Sequence, residues 1–349
     1  MDIRITVSLV CTLLWAGCTI QLNPEPETEG VAIGFQAQSL LLEDITTKGT
    51  TERFNSNEDS FSIFGERVTA TDEHNTVFNG AEVKHNYVSG VQDVWFYDPA
   101  RYWLWASQSD RYDFVAVSPA NVGTTNENAV GNLSVSTHYN YYVEGYPERG
   151  DQYDLLAATY RRYGNNWERR YETVNLSFSH MGSAVGVKVT NNSASTSLTL
   201  TSIQYKNLVV SADAKATLDS YGRTVLRWAN PTPSAAAVRQ ISFAPSTTVT
   251  PGNTYPDNAN VDYQIMIPQN LSMFGAKLIL NYKVGDDDYS SEIALSDIKR
   301  SDDTAITSWE IGYKYIYTIY VRMDGGLQVT VTTTPWDEPV AAETPGILI

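Results

Sequence analysis

Catalysis needs nucleophiles, acids and bases or metal ligands at workable spacings, and this sequence holds few of them. Its four histidines, His74, His85, His138 and His180, stand apart, with no second ligand at zinc spacing. His180 falls in line with Phe178 on an alternating run, which predicts a buried, hydrogen-bonded core residue. Gly182-Ser183-Ala184 lacks the Gly-x-Ser-x-Gly spacing of a nucleophile elbow. Gly285-Asp286-Asp287-Asp288 gathers carboxylates, but position six of a calcium loop would be Ser291 rather than Gly. A solvated hairpin turn accounts for it. No carboxylate pair stands out for glycoside hydrolysis, and no phosphate-binding loop is present. The expectation is a non-enzymatic chain without metal or cofactor. Trp95, Trp103 and Trp105 are the remaining chemical candidates. An exposed coplanar row of them would stack on sugar rings, whereas burial between sheets would make them core.

Composition narrows the class further. The chain has 349 residues, enough for two domains at roughly 150 residues each. It is 42% hydrophobic and 11% aromatic with 22 Tyr, so it can bury a core. Asp and Glu (40) exceed Lys and Arg (24), and the net charge of -16 argues against a nucleic-acid partner.

The dominant period is two. Val31, Ile33, Phe35 and Ala37 alternate with Ala32, Gly34, Gln36 and Gln38. Val174, Leu176 and Phe178 alternate with polar residues, as do Val185, Val187 and Val189 with small and polar ones. Tyr313, Tyr315, Tyr317, Ile319 and Val321 form one strand face. The turn Met323-Asp324-Gly325-Gly326 then leads back along Leu327, Val329 and Val331, a strong hairpin signal. Leu278 to Val284 and Tyr289 to Leu295 read as another hairpin. Helical signals are confined to Gly150 to Arg162 and one turn at Ala235 to Arg239. Many short strands between turn clusters predict an all-β chain of antiparallel sandwiches. A basic, Asn-rich seam at Arg161 to Arg170 (RRYGNNWERR) places a domain boundary near residue 172.

At the N-terminus, Ile5 to Ala16 is apolar and too short to span a bilayer, the shape of a secretory signal. Ala16-Gly17-Cys18 resembles the bacterial lipobox. This implies a signal peptide over 1–17, cleavage before Cys18 and a lipid on its thiol. Cys11 leaves with the signal, so the mature chain would hold no free thiol or disulfide and rely on burial alone. Residues 18–30, ending in QLNPEPETEG, read as a polar tether.

Several segments together resemble the fimbrillin-like family, the subunits of type V pili. These are VAIGFQAQ (Val31 to Gln38), FSIFG (Phe61 to Gly65) and YWLWASQSDRYDFVAVSP (Tyr102 to Pro119), which matches an aromatic strand pair. VNLSFSHMGSAVGVKVTN (Val174 to Asn191) matches the opening of a C-terminal domain. WEIGYKYIYTIYV (Trp309 to Val321), followed by a hairpin and Pro335-Trp336, matches the closing strands. The resemblance implies two tandem transthyretin-like β-sandwich domains, 31–172 and 173–349. It also implies transport to the outer membrane as a surface-exposed lipoprotein, and a fimbrial role in adhesion. In the family an Arg-specific protease removes the N-terminal strand, and a neighbour's C-terminal segment fills the groove. The matching positions are Val31, Ile33, Phe35 and Ala37 for the removable strand and Arg53 for cleavage, with Lys48 the nearest basic alternative. The partners implied are other pilus subunits, the outer membrane and a host or bacterial surface ligand.

Such a strand must present an apolar face. Fully burying Val31, Ile33 and Phe35 would stabilise by on the order of 5–9 kcal/mol gross, comparable to a domain's net stability. Its loss would leave an open edge that recruits a replacement. At the other end, Pro339 and Pro345 interrupt the tail. Its apolar Ile347-Leu348-Ile349 suits docking in a neighbour's groove or packing on the chain's own domain. The competing expectation is a surface glycan-binding lipoprotein of a polysaccharide-uptake system, which the exposure of the tryptophans decides.

Overall fold

The computed structural model describes residues 30–39, 59–86, 94–127, 132–141, 150, 153–256, 261–322 and 326–336. The chain is all-β. Its strands are β1 (Phe35–Ser39), β2 (Ser60–Val68), β3 (His74–Asn86), β4 (Val94–Phe96), β5 (Arg111–Ser118) and β6 (Thr125–Asn126). Then follow β7 (Ser134–Asn140), β8 (Leu156–Tyr163), β9 (Val174–His180), β10 (Ser183–Asn191), β11 (Leu198–Leu218) and β12 (Thr224–Val249). The last are β13 (Thr254–Tyr255), β14 (Gln264–Met266), β15 (Lys277–Val284), β16 (Asp287–Ala294), β17 (Tyr313–Val321) and β18 (Leu327–Pro335). Among the described residues the only helical element is a 3-10 turn at Leu295–Asp297, and no helix is long and apolar enough to cross a membrane.

Three sheets hold these strands. The first has seven, in the order β1-β9-β8-β5-β2-β3-β4. The second runs β13-β10-β17-β18, with β14 beside β10. The third runs β16-β15-β11-β7-β6, with β12 along β11. Both hairpins expected near the C-terminus form, as β15–β16 and β17–β18. The Asp324-Gly325 turn itself lies outside the described residues.

The helix expected over Gly150 to Arg162 does not form where the structure is described; Leu156–Tyr163 is β8, paired with β5 and β9. The reason is burial on both faces. Leu156 and Ala158 enter one core while Leu155 and Ala157 enter another, a two-residue period that a helix would break. The turn expected at Ala235 to Arg239 is likewise strand, with Arg239 opposite Tyr205 and Ala237 opposite Lys206. Local alanine preference yields to pairing with the long β11. Of the aromatic pair expected over Tyr102 to Pro119, only β5 is regular strand.

The seam at 161–170 begins in the last residues of β8 and runs on toward β9, its neighbour in the sheet. β9, expected to open a C-terminal domain, pairs with β8 and β1. β11 spans 21 residues, pairing with β15 at its start and β7 at its end. Its first half feeds a core that includes Leu200, Tyr205 and Tyr317, and Ala214 and Ala216 feed a second core with Phe64 and Val115. A third, aromatic core lies against β1.

Candidate functional site

β1 occupies one end of the seven-stranded sheet, and its neighbours explain why it sits there. It pairs in parallel with β9, Phe35 opposite Val174 through Ser39 opposite Phe178. On the other side, the chain just before it meets the segment following β4. The Ile33 amide donates to the Arg101 carbonyl at 2.8 Å, and the Trp103 amide donates to the Val31 carbonyl at 3.0 Å. The Tyr97 hydroxyl donates to the Ile33 carbonyl at 2.7 Å. Burial pushes that hydroxyl's pKa up against a smaller opposing effect of Arg101, so it stays a donor at neutral pH. The N-terminal segment thus bridges the two ends of the sheet, β9 on one side and the chain after β4 on the other.

The side chains follow the pleat only in part. Ile33 (1% exposed) and Phe35 (4%) are buried, and Ala37 is half-buried. Val31, expected on the same buried face, is 46% exposed. Regular pairing with β9 starts at Phe35, and before it only a single bridge joins Ala32 to Tyr102, so the alternation does not carry back to residue 31. The gross stabilisation from this segment therefore falls to about 3–6 kcal/mol, from two large side chains rather than three.

Phe35 is the centre of the site. Its ring lies 5.5 Å from Phe78, 5.7 Å from Tyr97, 5.9 Å from Phe114 and 6.1 Å from Phe61, all edge-on. Edge-to-face aromatic pairs add stability beyond the area they bury. Gly65 makes room for this cluster, since a Cβ there would meet Phe114 at 2.8 Å and Phe78 at 3.1 Å. Tyr97 and Phe78 escaped the sequence reading, because Tyr97 lies in a loop without periodicity. Its one signal was an aromatic residue beside Asp98-Pro99 in a chain rich in core aromatics.

Cys18, Lys48, Arg53 and the Ile347-Leu348-Ile349 tail lie outside the described residues.

The other chemical candidates resolve as packing. His180 is buried, with Nδ1 2.7 Å from Asp154 Oδ2 and its ring stacked on Trp336 at 4.0 Å. His74 meets Glu66 at 3.0 Å, His138 meets Asp213 at 2.8 Å, and His85 lies against Trp95. Among the described residues no group of His, Cys, Asp and Glu is arranged to hold a metal. Ser183 is buried and donates to the Glu310 carbonyl, a structural bond. Trp95 and Trp103 are buried, and Trp105 is half-buried, stacked on Trp103 at 5.6 Å. No exposed row of these three exists for a sugar to lie on.

A family model described as fimbrillin-like matches residues 46–336. Among solved structures, a proposed cell adhesion protein of Bacteroides uniformis is 17% identical, with a TM-score of 0.46, covering 89% of this chain and 100% of its own. One of Parabacteroides distasonis is 9% identical, with a TM-score of 0.47, covering 90% and 98%. A fimbrilin of Porphyromonas gingivalis is 10% identical, with a TM-score of 0.41, covering 90% and 99%. No curated protein matches the chain.

Proposed function

The chain belongs to the fimbrillin-like family, and on that premise we propose that it is a fimbrial subunit assembled by strand replacement. The segment 31–39 holds the subunit closed until a protease cuts after Arg53, or after Lys48, and frees it. A segment of a neighbouring subunit then takes its place against β9, by β-strand addition. The neighbour's Ile347-Leu348-Ile349 supplies apolar side chains for the vacated sites. Before assembly, a lipid on Cys18 and the tether of residues 18–30 keep the subunit at the outer membrane. The chain acts as a structural adhesion protein rather than an enzyme.

The observation that carries this reading is the placement of Phe35 inside the ring of four aromatics. Removing the strand would open Phe61, Phe78 and Phe114 to water together, and leave β9 with an unpaired edge. An exposed apolar patch beside an open edge is a strong drive to association. We further propose two tandem transthyretin-like sandwiches. The first is built on the seven-stranded sheet and the second on β10, β17 and β18 facing β11, β15 and β16. We propose the handover between them after His180, a reading supported by the pairing of β9 with β8 and β1.

Gel filtration with light scattering, comparing the chain from residue 19 with the chain from residue 54, tests this. The longer form is expected to be monomeric and the shorter to form polymers or aggregates. A shorter form that stays monomeric and folded would refute strand replacement.

A further inference from the structure

The basic stretch at 161–172 lines a cleft of about 250 Å3 at the end of β8. Arg162, Tyr163, Asn165, Asn166, Arg169 and Glu172 line most of it. Its charge departs from the rest of the molecule. Residues 161–172 hold four arginines against two glutamates, in a chain of net charge -16. Its surface departs as well. Tyr163 and Trp167 are each 45% exposed and Tyr171 is 40% exposed. Clustered exposed aromatics mark a binding surface more often than ordinary solvent-facing chain.

The loop is held in shape from within. Successive turns close through the amides of Asn166, Arg169 and Glu172, which donate to the carbonyls of Tyr163, Asn166 and Arg169. The Arg170 guanidinium lies 3.3 Å from the Trp167 ring centre and 4.5 Å from that of Tyr171, filling the space between them. Arg162, itself buried, donates to the Glu172 and Thr173 carbonyls and to the Tyr160 hydroxyl. A surface fixed beforehand loses little entropy when it binds.

What remains for a ligand is one cation, two carboxamides and a ring face. Arg169 is exposed and pairs with Glu172 at 2.9 Å, an exposed pair of the kind that exchanges readily with solvent. Asn165 and Asn166 are exposed and offer both donors and acceptors. A guanidinium matches the paired oxygens of a carboxylate or sulfate. The amides and the Glu172 carboxylate match ring hydroxyls, and the Tyr163 face matches the C–H face of a pyranose. The cleft is smaller than the ~300–1,000 Å3 of sites for drug-sized ligands, which suits one ring rather than a chain of them.

We propose that this cleft binds a single anionic sugar residue, carboxylated or sulfated, displayed on a surface glycan. The proposal deepens the adhesion reading and rests on it for its biological use. An acidic peptide would satisfy the charge but leaves the concave shape and the paired carboxamides without a role.

Biolayer interferometry of the full chain against immobilised sialyllactose, trigalacturonate and a chondroitin sulfate hexasaccharide tests it, with lactose and polyglutamate as controls. At least one acidic saccharide is expected to bind, with lactose roughly tenfold weaker or more. Whether the carboxylated or the sulfated probe binds identifies the anion. Arg169→Gln and Tyr163→Ala should each weaken binding by about fivefold or more, and raising NaCl from about 0.05 to 0.5 M should weaken the wild type. Arg169→Gln should unfold at the wild-type urea midpoint, which separates lost binding from lost folding. The proposal is overturned if no acidic saccharide binds at millimolar concentration, if both variants bind like wild type, or if polyglutamate binds as tightly as the saccharide. Electron microscopy of fibres formed with Arg169→Gln separates this proposal from the fimbrial one. Normal fibres with lost saccharide binding support both. Normal fibres with saccharide binding unchanged in Arg169→Gln sink only the sugar reading. A wild type that binds saccharide but enters no fibre sinks only the fimbrial reading.

Discussion

Replacing Phe35 by Ala probes the N-terminal strand at the point where it is held hardest. The ring is 4% exposed and has four aromatic neighbours within 6.1 Å. Truncating a buried Phe to Ala removes its transfer free energy and leaves a cavity, costing about 3–5 kcal/mol. The lining has little freedom to collapse into that cavity, because Phe61 is also packed against Trp95 at 5.1 Å and Phe178 at 5.4 Å. Val31→Ala is the internal control. That side chain is 46% exposed, so its loss should cost within about 1 kcal/mol. Urea unfolding of the full chain measures both. If Phe35→Ala and Val31→Ala cost the same in that unfolding, the aromatic ring is not what seats the strand and the mechanism built on it is wrong.

Two ion pairs within the same sheet yield further predictions. Asp113 is buried, and Arg161 donates to both of its oxygens at 2.6 and 2.8 Å with Arg111 at 3.3 Å from the second. Asp113→Asn leaves the Arg161 guanidinium buried without its counter-charge, and should lower stability by about 3–5 kcal/mol in urea unfolding; a loss below about 1 kcal/mol would refute the buried-pair account. Asp110 titrates in the opposite sense to an isolated buried acid. Burial pushes its carboxyl up, but the Ala106 amide, the Ser107 hydroxyl and the Arg67 guanidinium outweigh burial and hold it below the usual carboxylate range. Its folded pKa is thus the lower one. The stability it contributes is complete above the unfolded value of about 3.9 and is lost as pH falls through the folded value. The gap in urea midpoint between wild type and Asp110→Asn should be wide at neutral pH and close in acid; a gap that stays constant would show that the charge contributes nothing.

Much of this architecture is legible in one dimension because strands write their period into the chain. The hairpins β15–β16 and β17–β18 follow from alternation and turn residues alone, since those signals act between residues close in sequence. The helix expected over Gly150 to Arg162 fails for a reason that the sequence does not show. Leu155 to Ala158 has apolar residues on both faces, so its sequence shows no alternation and its alanines resemble a helix. Only the presence of β5 on one side and β9 on the other makes it strand. The arginines at 161–170 mark a compositional break, and the structure spends Arg161 and Arg162 on Asp113 and on backbone carbonyls.

What the sequence by itself determined is the class of the protein: all-β, acidic and poor in catalytic groups, with an alternating apolar segment after a polar, proline-containing stretch. These properties follow from composition and local period. Which residues seat that strand was decided only by the tertiary structure. Phe35 meets Phe61, Phe78, Tyr97 and Phe114 across separations of up to 79 positions, and Ile33 is held by Tyr97 and Arg101 from the far end of the sheet. Burial is a property of the space between distant segments. No local pattern could show that Val31 would stay in solvent while Phe35 closed the core.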